Sequence, residues 1–343
     1  MNKKALIRTL LWVLAAGMLA SSTQCTFWDA YQKPLGPTLE IVEPLETIDV
    51  NALIPTATPT PVPATPTAAP IAATTEVCGE ISAWNLLLLG TDVVTMRGDR
   101  GADYINMMKV DFPNRRVTVY AFPRELWVNA ANLGFYYPTV ESTEMGTVFY
   151  ESYRRSGNSI RRDRMSHATN VFSQMLLWNF VMRTDHYVTV DLTQVPAMVD
   201  AIGGIPIYIP QRTTDPWIGM VFEAGQYNLN GTQALAYARA IPDSEFGRIN
   251  RQQQIMDAAR LKLQQPDVWA RIPQLYTQFN QVIATDLSLE QINHLSCLLN
   301  EVPSEAIVFD SVPQTWTSAG PRGSYLWDKT SVLNQLMGLG LIP

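Results

Sequence analysis

The chain of 343 residues has few cysteines and few histidines, and neither sign of charge dominates it. Three cysteines cannot build a dense disulfide scaffold. Cys78 and Cys297 could form one bridge outside the cytoplasm, and two buried free thiols are the alternative. The three histidines, His167, His186 and His294, lack the spacing of zinc ligands. A net charge of −6 does not favour nucleic acid, so we predict no nucleic-acid partner.

Several catalytic motifs are also missing from the sequence. No Gly-x-Ser-x-Gly elbow occurs, which removes the support for an α/β-hydrolase serine site. No Walker loop and no dinucleotide-binding fingerprint occur either. Acid–base chemistry must therefore fall on carboxylates, and electrophilic chemistry on arginines or a bound cation.

The first part of the chain, residues 1–28, predicts a signal peptide or a signal anchor. Basic residues precede the apolar run Leu10–Ala20, as in a secretion signal. Thr9–Trp28 contains no charged residue and approaches the length of a membrane-spanning helix. Lipidation at Cys25 is a third possibility, although Gln24 stands where a small residue is expected. All three interpretations predict a location outside the cytoplasm, either at the cell membrane through the N-terminus or secreted after cleavage.

Residues 29–76 predict an extracytoplasmic linker that is rich in proline, threonine and alanine. From about Pro34 to Thr75 such a composition favours an extended spacer that does not pack into a core. Residues 77–343 contain no second linker, so we expect one domain there.

The domain alternates strand and helix patterns, which favours an α/β fold. The expected architecture is a layered α/β/α domain with a central mixed sheet. Asn85–Gly90 is a continuous apolar run, typical of a strand that is buried on both faces. Ser288 and Gln291 have the spacing of a capping box. We predict a further helix over Ile249–Gln264.

Charged residues follow two of the predicted strands. Asp92 lies at the end of the first strand, Asn85–Gly90, with Arg100 and Asp103 a loop away. Arg124 follows a third predicted strand, Val117–Phe122. Ligands usually bind at the carboxyl ends of strands in open α/β sheets. Two carboxylates there suit Mg²⁺, which is commonly held by one or two carboxylates and a substrate phosphate. The alternative is that both aspartates cap turns.

A third group of charges lies at the start of the predicted long helix. Arg248 and Arg251 are three residues apart and share a helix face, and Arg239 lies shortly before them. Guanidinium groups bind phosphate oxygens in a bidentate manner, and a helix N-terminus adds a positive dipole end. Surface ion pairs of these arginines with Asp243 and Glu245 are an equally good interpretation of the pattern alone.

Three blocks in this order resemble the LytR–CpsA–Psr family, and the resemblance covers roughly residues 81–263. They are Val199–Pro206, Ala224–Arg239 and Gly247–Gln253. The Leu-Leu-Gly-Thr-Asp92 and Pro-Arg-Glu125 segments fall where that family has similar motifs.

The resemblance implies a phosphotransferase that moves a glycopolymer from a polyprenyl-pyrophosphate carrier to peptidoglycan on the outer face of the membrane. By the same resemblance, Asp92 and Asp103 hold Mg²⁺ and act in catalysis together with Arg124. The implied pyrophosphate ligands are Arg100, Arg124, Arg239, Arg248, Arg251 and Gln252. A non-catalytic or weakly active pyrophosphate-binding protein and a pyrophosphate hydrolase are the alternatives.

The chain departs from the family pattern at four positions. Gly101 stands where the family usually has an arginine, and Tyr104 where it has a threonine. Glu125 replaces an aspartate, and Ile241 replaces a second arginine. These departures keep the binding alternative open.

Overall fold

The computed structural model describes residues 30–41, 76–92, 101–131, 133, 141–216, 218–240 and 244–343. The predicted signal segment, residues 1–28, and most of the linker lie outside these ranges. No helix within them is long and apolar enough to cross a membrane.

A six-stranded mixed sheet forms the centre of the domain, with the order β11-β6-β1-β2-β3-β12. The strands are β1 Ala83–Thr91, β2 Ala102–Asp111, β3 Arg116–Ala121, β6 His186–Asp191, β11 Ile283–Thr285 and β12 Ile307–Ser311. β1 and β6 are parallel, as are β3 and β12, whereas the other neighbours are antiparallel. This arrangement confirms the predicted mixed sheet.

Both faces of strand β1 are buried, as its continuous apolar run predicts. Leu87 and Leu89 belong to the largest hydrophobic cluster, whereas Trp84 and Leu86 belong to a cluster on the opposite face. Successive side chains of a strand point to opposite faces, so an apolar residue at every position requires a cover on each side.

Helices cover both faces of the sheet. The helices of the described residues are α1 Met145–Arg155, α2 Arg161–Phe180, α3 Val195–Ala201, α4 Gly231–Arg239, α5 Glu245–Leu263, α6 Pro266–Trp269, α7 Ile272–Phe279, α8 Leu289–Glu301 and α9 Lys329–Gly338. Helices α1, α2 and α9 contribute to the first cluster, and α8 contributes to the opposite one. The predicted capping box of Ser288 and Gln291 begins α8 and is confirmed.

A smaller unit carries its own apolar cluster beside the sheet. Helices α3, α4 and α5 pack there with a hairpin of β7 (Ile205–Ile209) and β10 (Gly225–Leu229). Asn230 caps α4 through a second capping box with Gln233, which fixes the start of the helix that carries Arg239.

The start of helix α5 differs from the prediction. The helix begins at Glu245 and not at Ile249, because the Ser244 side chain accepts a hydrogen bond from the Gly247 N–H and caps it one turn earlier. Arg248 therefore lies inside the first turn, and its own N–H donates to the Ser244 carbonyl.

Short hairpins complete the described part of the chain, and none of them has a long enough pattern to be predicted. They pair β4 (Trp127–Asn129) with β5 (Ser142–Glu144), β8 (Thr213–Thr214) with β9 (Val221–Phe222), and β13 (Thr317–Ala319) with β14 (Tyr325–Trp327).

A disulfide joins Cys78 to Cys297, with the two Cα atoms 5.7 Å apart. It ties the start of the domain to helix α8. Of the two alternatives left open by the sequence, the bridge is the one present.

Residues 34–41 differ from what their composition predicts. They pack against the domain and do not stand clear of it; for example, Leu39 contacts the main hydrophobic cluster. Leu35 and Leu39 provide apolar surface in this segment.

Candidate functional site

Most of the charged residues that the sequence singles out meet where strands β1 and β3 end, at what is called below the site edge of the sheet. Strands β1 and β3 both run antiparallel to β2, so their carboxyl ends lie beside the amino end of β2. Asp92 follows β1, Asp103 begins β2, and Arg124 follows β3. The Asp92 N–H donates to the Gly101 carbonyl at 3.1 Å, which joins the two aspartate-bearing segments.

Arg124 links the two neighbouring carboxylates at this edge. Its guanidinium forms an ion pair with Asp103 and donates from Nε to Glu125 Oε1 at 2.8 Å. Burial by itself lowers the pKa of Arg124, but the charges of Asp103 and Glu125 outweigh it and the pKa is raised. Arg124 is therefore a permanently charged group at the edge of the sheet.

Arg239 approaches the same edge from the last turn of helix α4. Its Nη2 lies 3.0 Å from Asp92 Oδ2, and about a third of its side chain is exposed. A cation is favourable at a helix C-terminus. Arg239 is the most exposed of the three arginines Arg124, Arg239 and Arg248.

Arg248 and Gln252 lie one turn apart on helix α5 and converge on one acceptor. Arg248 Nη1 donates to the Asp103 carbonyl at 2.7 Å, and Gln252 Nε2 donates to the same oxygen at 3.3 Å. Arg248 Nε also donates to Glu245 Oε2 at 2.8 Å. Arg248 therefore forms the ion pair with Glu245 that one interpretation of the sequence predicts. The same side chain also contacts Asp103 at the edge of the sheet.

Two buried glutamates, Glu125 and Glu245, lie among these arginines, and their pKa values are shifted in opposite directions. Burial would raise the pKa of Glu125, but Arg124 and Arg248 together hold it below its ordinary value. Burial raises the pKa of Glu245 to about 7, although Arg248 favours its charged form. The negative charge of Glu125 adds to that rise, as expected for two neighbouring carboxyl groups.

Arg251 takes a different position from its neighbours. It is 5% exposed, donates to the Ala240 carbonyl and does not line the cavity described below. It holds the end of helix α4 against α5. Arg100, also predicted as a pyrophosphate ligand, and Asp243 lie outside the described residues.

A cavity of about 110 Å³ opens between helices α3, α4 and α5 and the start of β2. Its polar lining consists of Asp103, Tyr104, Arg239, Arg248 and Gln252. Its apolar lining consists of Leu192, Val195, Ala234, Leu235, Ala238 and Ile255. The cavity is smaller than the roughly 300–1,000 Å³ of typical ligand pockets. It has a charged end and an apolar wall, which suits an amphiphilic anion.

Two of the departures from the family pattern have visible structural consequences. A Cβ at Gly101 would lie 2.7 Å from the Tyr150 Cα, so an arginine there would require helix α1 to move. Tyr104 donates its hydroxyl to Met256 Sδ at 3.3 Å, and burial raises its pKa. The phenol of Tyr104 therefore stays neutral beside the cavity.

Sequence reasoning did not single out Asp191, whereas it named Arg161 as an arginine that could replace a missing phosphate ligand. Asp191 is fully buried at the carboxyl end of β6, paired with Thr91 of β1, and it accepts from Arg161 Nη1 at 2.7 Å. The sequence also predicts a strand over Tyr187–Val190, and Asp191 directly follows it. A carboxylate in that position was the available signal.

The donor set at this edge fits a magnesium ion better than a metal held by protein alone. The described part of the chain contains no group of three or more histidine, cysteine or acidic residues that could hold a metal. Mg²⁺ usually takes only one or two carboxylates and completes its shell with water and phosphate oxygens. Asp92 and Asp103 lie on adjoining segments and could supply those carboxylates.

A small cavity with converging arginines at the carboxyl edge of a layered sheet is typical of an anion-binding α/β domain. The sequence profile of the LytR_cpsA_psr family matches residues 67–337. The chain therefore belongs to the LytR–CpsA–Psr family, as the sequence motifs predict.

Two relatives illustrate the match in sequence. TagV of Bacillus subtilis, named as a polyisoprenyl-teichoic acid–peptidoglycan teichoic acid transferase, is 23% identical over 254 residues, which are 71% of this chain and 60% of TagV. MsrR of Staphylococcus aureus, named as a regulatory protein, is 25% identical over 189 residues, which are 54% of this chain and 50% of MsrR. The matches thus span only half to three fifths of these relatives' lengths.

Solved structures confirm the fold. The crystal structure of B. subtilis TagV has a TM-score of 0.58 at 21% identity and covers 75% of this chain and 96% of that one. TagT, a further B. subtilis protein, has a TM-score of 0.56 at 17% identity in its form bound to LIIa-WTA, covering 76% of this chain and 89% of that one.

Proposed function

We propose that this protein transfers a phosphate-linked glycopolymer from a polyprenyl-pyrophosphate carrier to peptidoglycan. Family membership supports this activity, as does the name of the relative TagV, a teichoic acid–peptidoglycan transferase. The observation that carries the proposal is the convergence of Arg124, Arg248 and Gln252 on Asp103 at the charged end of the cavity.

The arginines bind the pyrophosphate by exchanging partners. Arg239 and Arg124 now contact Asp92 and Asp103, and phosphate oxygens replace part of those contacts when the carrier binds. Bidentate guanidinium–phosphate bonds are strong and directional. The apolar wall of the cavity takes the first part of the isoprenoid chain.

The reaction is a phosphoryl transfer. A hydroxyl of the peptidoglycan acceptor attacks the phosphorus that bears the polymer, a new P–O bond forms, and the bond to the bridging oxygen breaks. Polyprenyl phosphate leaves with that electron pair. In such reactions the protein mainly positions the groups and neutralises developing charge, which is the role of Arg124, Arg239 and Arg248.

The proton of the attacking hydroxyl goes to a carboxylate. Asp92 and Asp103 are both at the site edge, and either can accept it. Bound Mg²⁺ would supply further neutralisation of the phosphate charge. If one of the two aspartates holds the metal, the other can act as the base.

The cell envelope is the proposed place of action. Residues 1–28 anchor the protein in the membrane, with the domain on the extracytoplasmic side, supported by the basic residues before the uncharged stretch Thr9–Trp28. Both substrates, the lipid carrier and peptidoglycan, are then reached from that face.

The test is transfer by the purified protein from a polyprenyl-pyrophosphate-linked glycan to peptidoglycan fragments, with Mg²⁺ present. Arg124→Ala and Arg239→Ala are each expected to lower binding or turnover at least tenfold, because a lost charge-assisted hydrogen bond costs about 1.5–3 kcal/mol. Arg212→Ala is the matched control, since Arg212 forms an exposed surface pair with Glu223. Full activity in both site variants would reject the assignment.

A second candidate, a binding protein without turnover, is favoured by the packing of Gly101. The close approach of the Tyr150 backbone leaves no space for the family's arginine at position 101. Binding of the carrier without product would support this candidate, and free glycan plus polyprenyl phosphate would indicate hydrolysis.

A further inference from the structure

The short segment of residues 30–41 lies against an edge of the central sheet. Strand β11 is the outermost strand on that side. The Leu35 N–H donates to the Leu287 carbonyl at 3.0 Å, just beyond β11. A Cβ at Gly36 would lie 2.5 Å from the Thr285 carbonyl oxygen, a distance that side chains do not tolerate. The glycine thus permits a backbone contact that covers the sheet edge, where unpaired groups otherwise invite association.

Three further contacts fix the rest of this segment. The Tyr187 hydroxyl donates to the Pro37 carbonyl at 2.9 Å, and the Glu40 N–H donates to Asn170 Oδ1 at 2.9 Å. Leu39 packs against the main hydrophobic cluster. Hydrogen bonds and apolar contacts at successive positions mean that the segment is docked along its length.

Because residues 30–41 contact the domain, the proline-rich stretch does not act as a spacer between the domain and the N-terminus. Residue 41 is on the domain, and the chain is again on the domain at Val77, which is buried beside the Cys78–Cys297 bridge. Residues 42–75 are therefore preceded and followed in the chain by segments that contact the domain. They cannot set the distance between the domain and the N-terminus.

Docking of residues 30–41 greatly shortens the distance that the chain can span between the N-terminal segment and the domain. From Trp28 to Tyr31 an extended chain spans only about 10 Å. Without docking, residues 30–75 in an extended proline-rich form would reach as far as about 140 Å. The docked segment therefore keeps the domain close to whatever holds the first 28 residues.

The surface beside Tyr31 has the composition of a membrane-interface contact. A groove of about 380 Å³ there is lined by Tyr31, Trp269, Ile272, Pro273, Tyr276, Leu289, Ile292 and Asn293, among others. Trp269 is 37% exposed, and its indole N–H donates to the Ser296 carbonyl. Tryptophan and tyrosine, with an apolar ring and a polar group, favour the lipid headgroup region.

We propose that residues 30–41 dock the N-terminus on the β11 edge and thereby hold the Tyr31–Trp269 groove against the outer lipid leaflet. The inference rests on the proposed membrane anchoring by residues 1–28. The partner is the phospholipid headgroup layer, and the proline-rich stretch becomes a loop that is attached to the domain at both ends.

The experiment measures the distance of two surface positions from the membrane. The full chain is reconstituted in phosphatidylcholine vesicles that contain a lipid with a nitroxide headgroup. A fluorescent amino acid is incorporated at Asn293, on the groove, or at Ser318, an exposed position in the β13–β14 hairpin. We expect at least twofold stronger quenching at position 293 than at 318.

Gly36→Ala provides the test of the docked segment itself. Its added Cβ meets the Thr285 carbonyl oxygen, so we expect it to undock residues 30–41 and remove the quenching difference. Gly338→Ala is the matched control, because a Cβ there meets nothing within 4 Å. Tyr187→Phe removes the hydrogen bond to Pro37 and the side-chain hydrogen bond with Ser166, and should reduce the difference by a smaller amount with the fold intact.

The outcomes separate this inference from the proposed anchoring. Protein that does not float with the vesicles would reject the anchoring. Protein that floats but shows weak or equal quenching at both positions would overturn the docked orientation. An unchanged quenching difference in Gly36→Ala would show that the segment does not set it, and would also overturn the inference.

Discussion

Replacement of Glu245 by glutamine removes a carboxyl group that burial keeps partly protonated at neutral pH. Its pKa rises from an ordinary value of 4.5 to about 7 in the folded protein. The group therefore contributes stability that is fully present below pH 4.5 and is lost as the pH rises through about 7. Ionisation of Glu245 thus opposes folding at high pH.

The size of the effect follows from the pKa difference. At about 1.4 kcal/mol for each pH unit, the change from 4.5 to about 7 amounts to about 3 kcal/mol. Glutamine resembles the protonated acid and does not titrate. Relative to the wild type, Glu245→Gln should therefore gain about 3 kcal/mol in the free energy of unfolding between pH 4 and pH 9, with most of the gain between pH 4.5 and pH 7 and little change above pH 8.

Urea unfolding followed by tryptophan fluorescence at intervals of one pH unit measures this difference directly. Groups that do not interact with Glu245 titrate in both proteins and cancel in the comparison. Asp267→Asn serves as the control, because it also removes one carboxylate, but at a highly exposed position. Glu125→Gln should act in the opposite direction, since the pKa of Glu125 is lowered. Parallel stability curves for the wild type and Glu245→Gln would refute the reasoning.

The remaining predictions concern packing, the disulfide and the metal. Gly101→Ala should destabilise the fold by about 1–3 kcal/mol, because its Cβ meets the Tyr150 backbone; an unchanged melting temperature would contradict this. Replacement of both Cys78 and Cys297 by serine removes a cross-link between residues 219 positions apart. The greater chain entropy of the unfolded protein should then lower the free energy of unfolding by up to about 5 kcal/mol. Calorimetry of the double variant should show a clearly lower Tm, and an equal Tm would contradict it. Chelation with EDTA should stop transfer and added Mg²⁺ should restore it, whereas turnover that persists in EDTA would remove the metal from the mechanism.

Local patterns in the sequence predict much of the fold. The apolar run at Asn85–Gly90 predicts a strand buried on both faces, and β1 is one. The capping box at Ser288 predicts the start of α8 correctly. The start of α5 is placed one turn too late, because the capping bond of Ser244 competes with an apolar pattern that begins only at Ile249.

The candidate site is predicted in part. Family motifs mark Asp92, Asp103, Arg124, Arg239, Arg248 and Gln252, and all of them lie at one edge of the sheet. The same motifs do not distinguish Arg251, whose side chain turns toward the Ala240 carbonyl. Helical spacing predicts which residues share one face of a helix. It does not predict which atoms that face contacts, because those atoms belong to distant parts of the chain.

The sequence by itself determines the family, the layered mixed sheet and the residue types at the phosphate-binding edge, because each is encoded in short motifs and local periodicity. Only the tertiary structure decides which carboxylate meets which arginine, the protonation of Glu245, the pairing of Cys78 with Cys297 and the docking of residues 30–41. These depend on contacts between residues far apart in the chain and on the burial that those contacts create. The composition of the segment around Pro34 predicts a free spacer, whereas its backbone fits against β11 through Gly36.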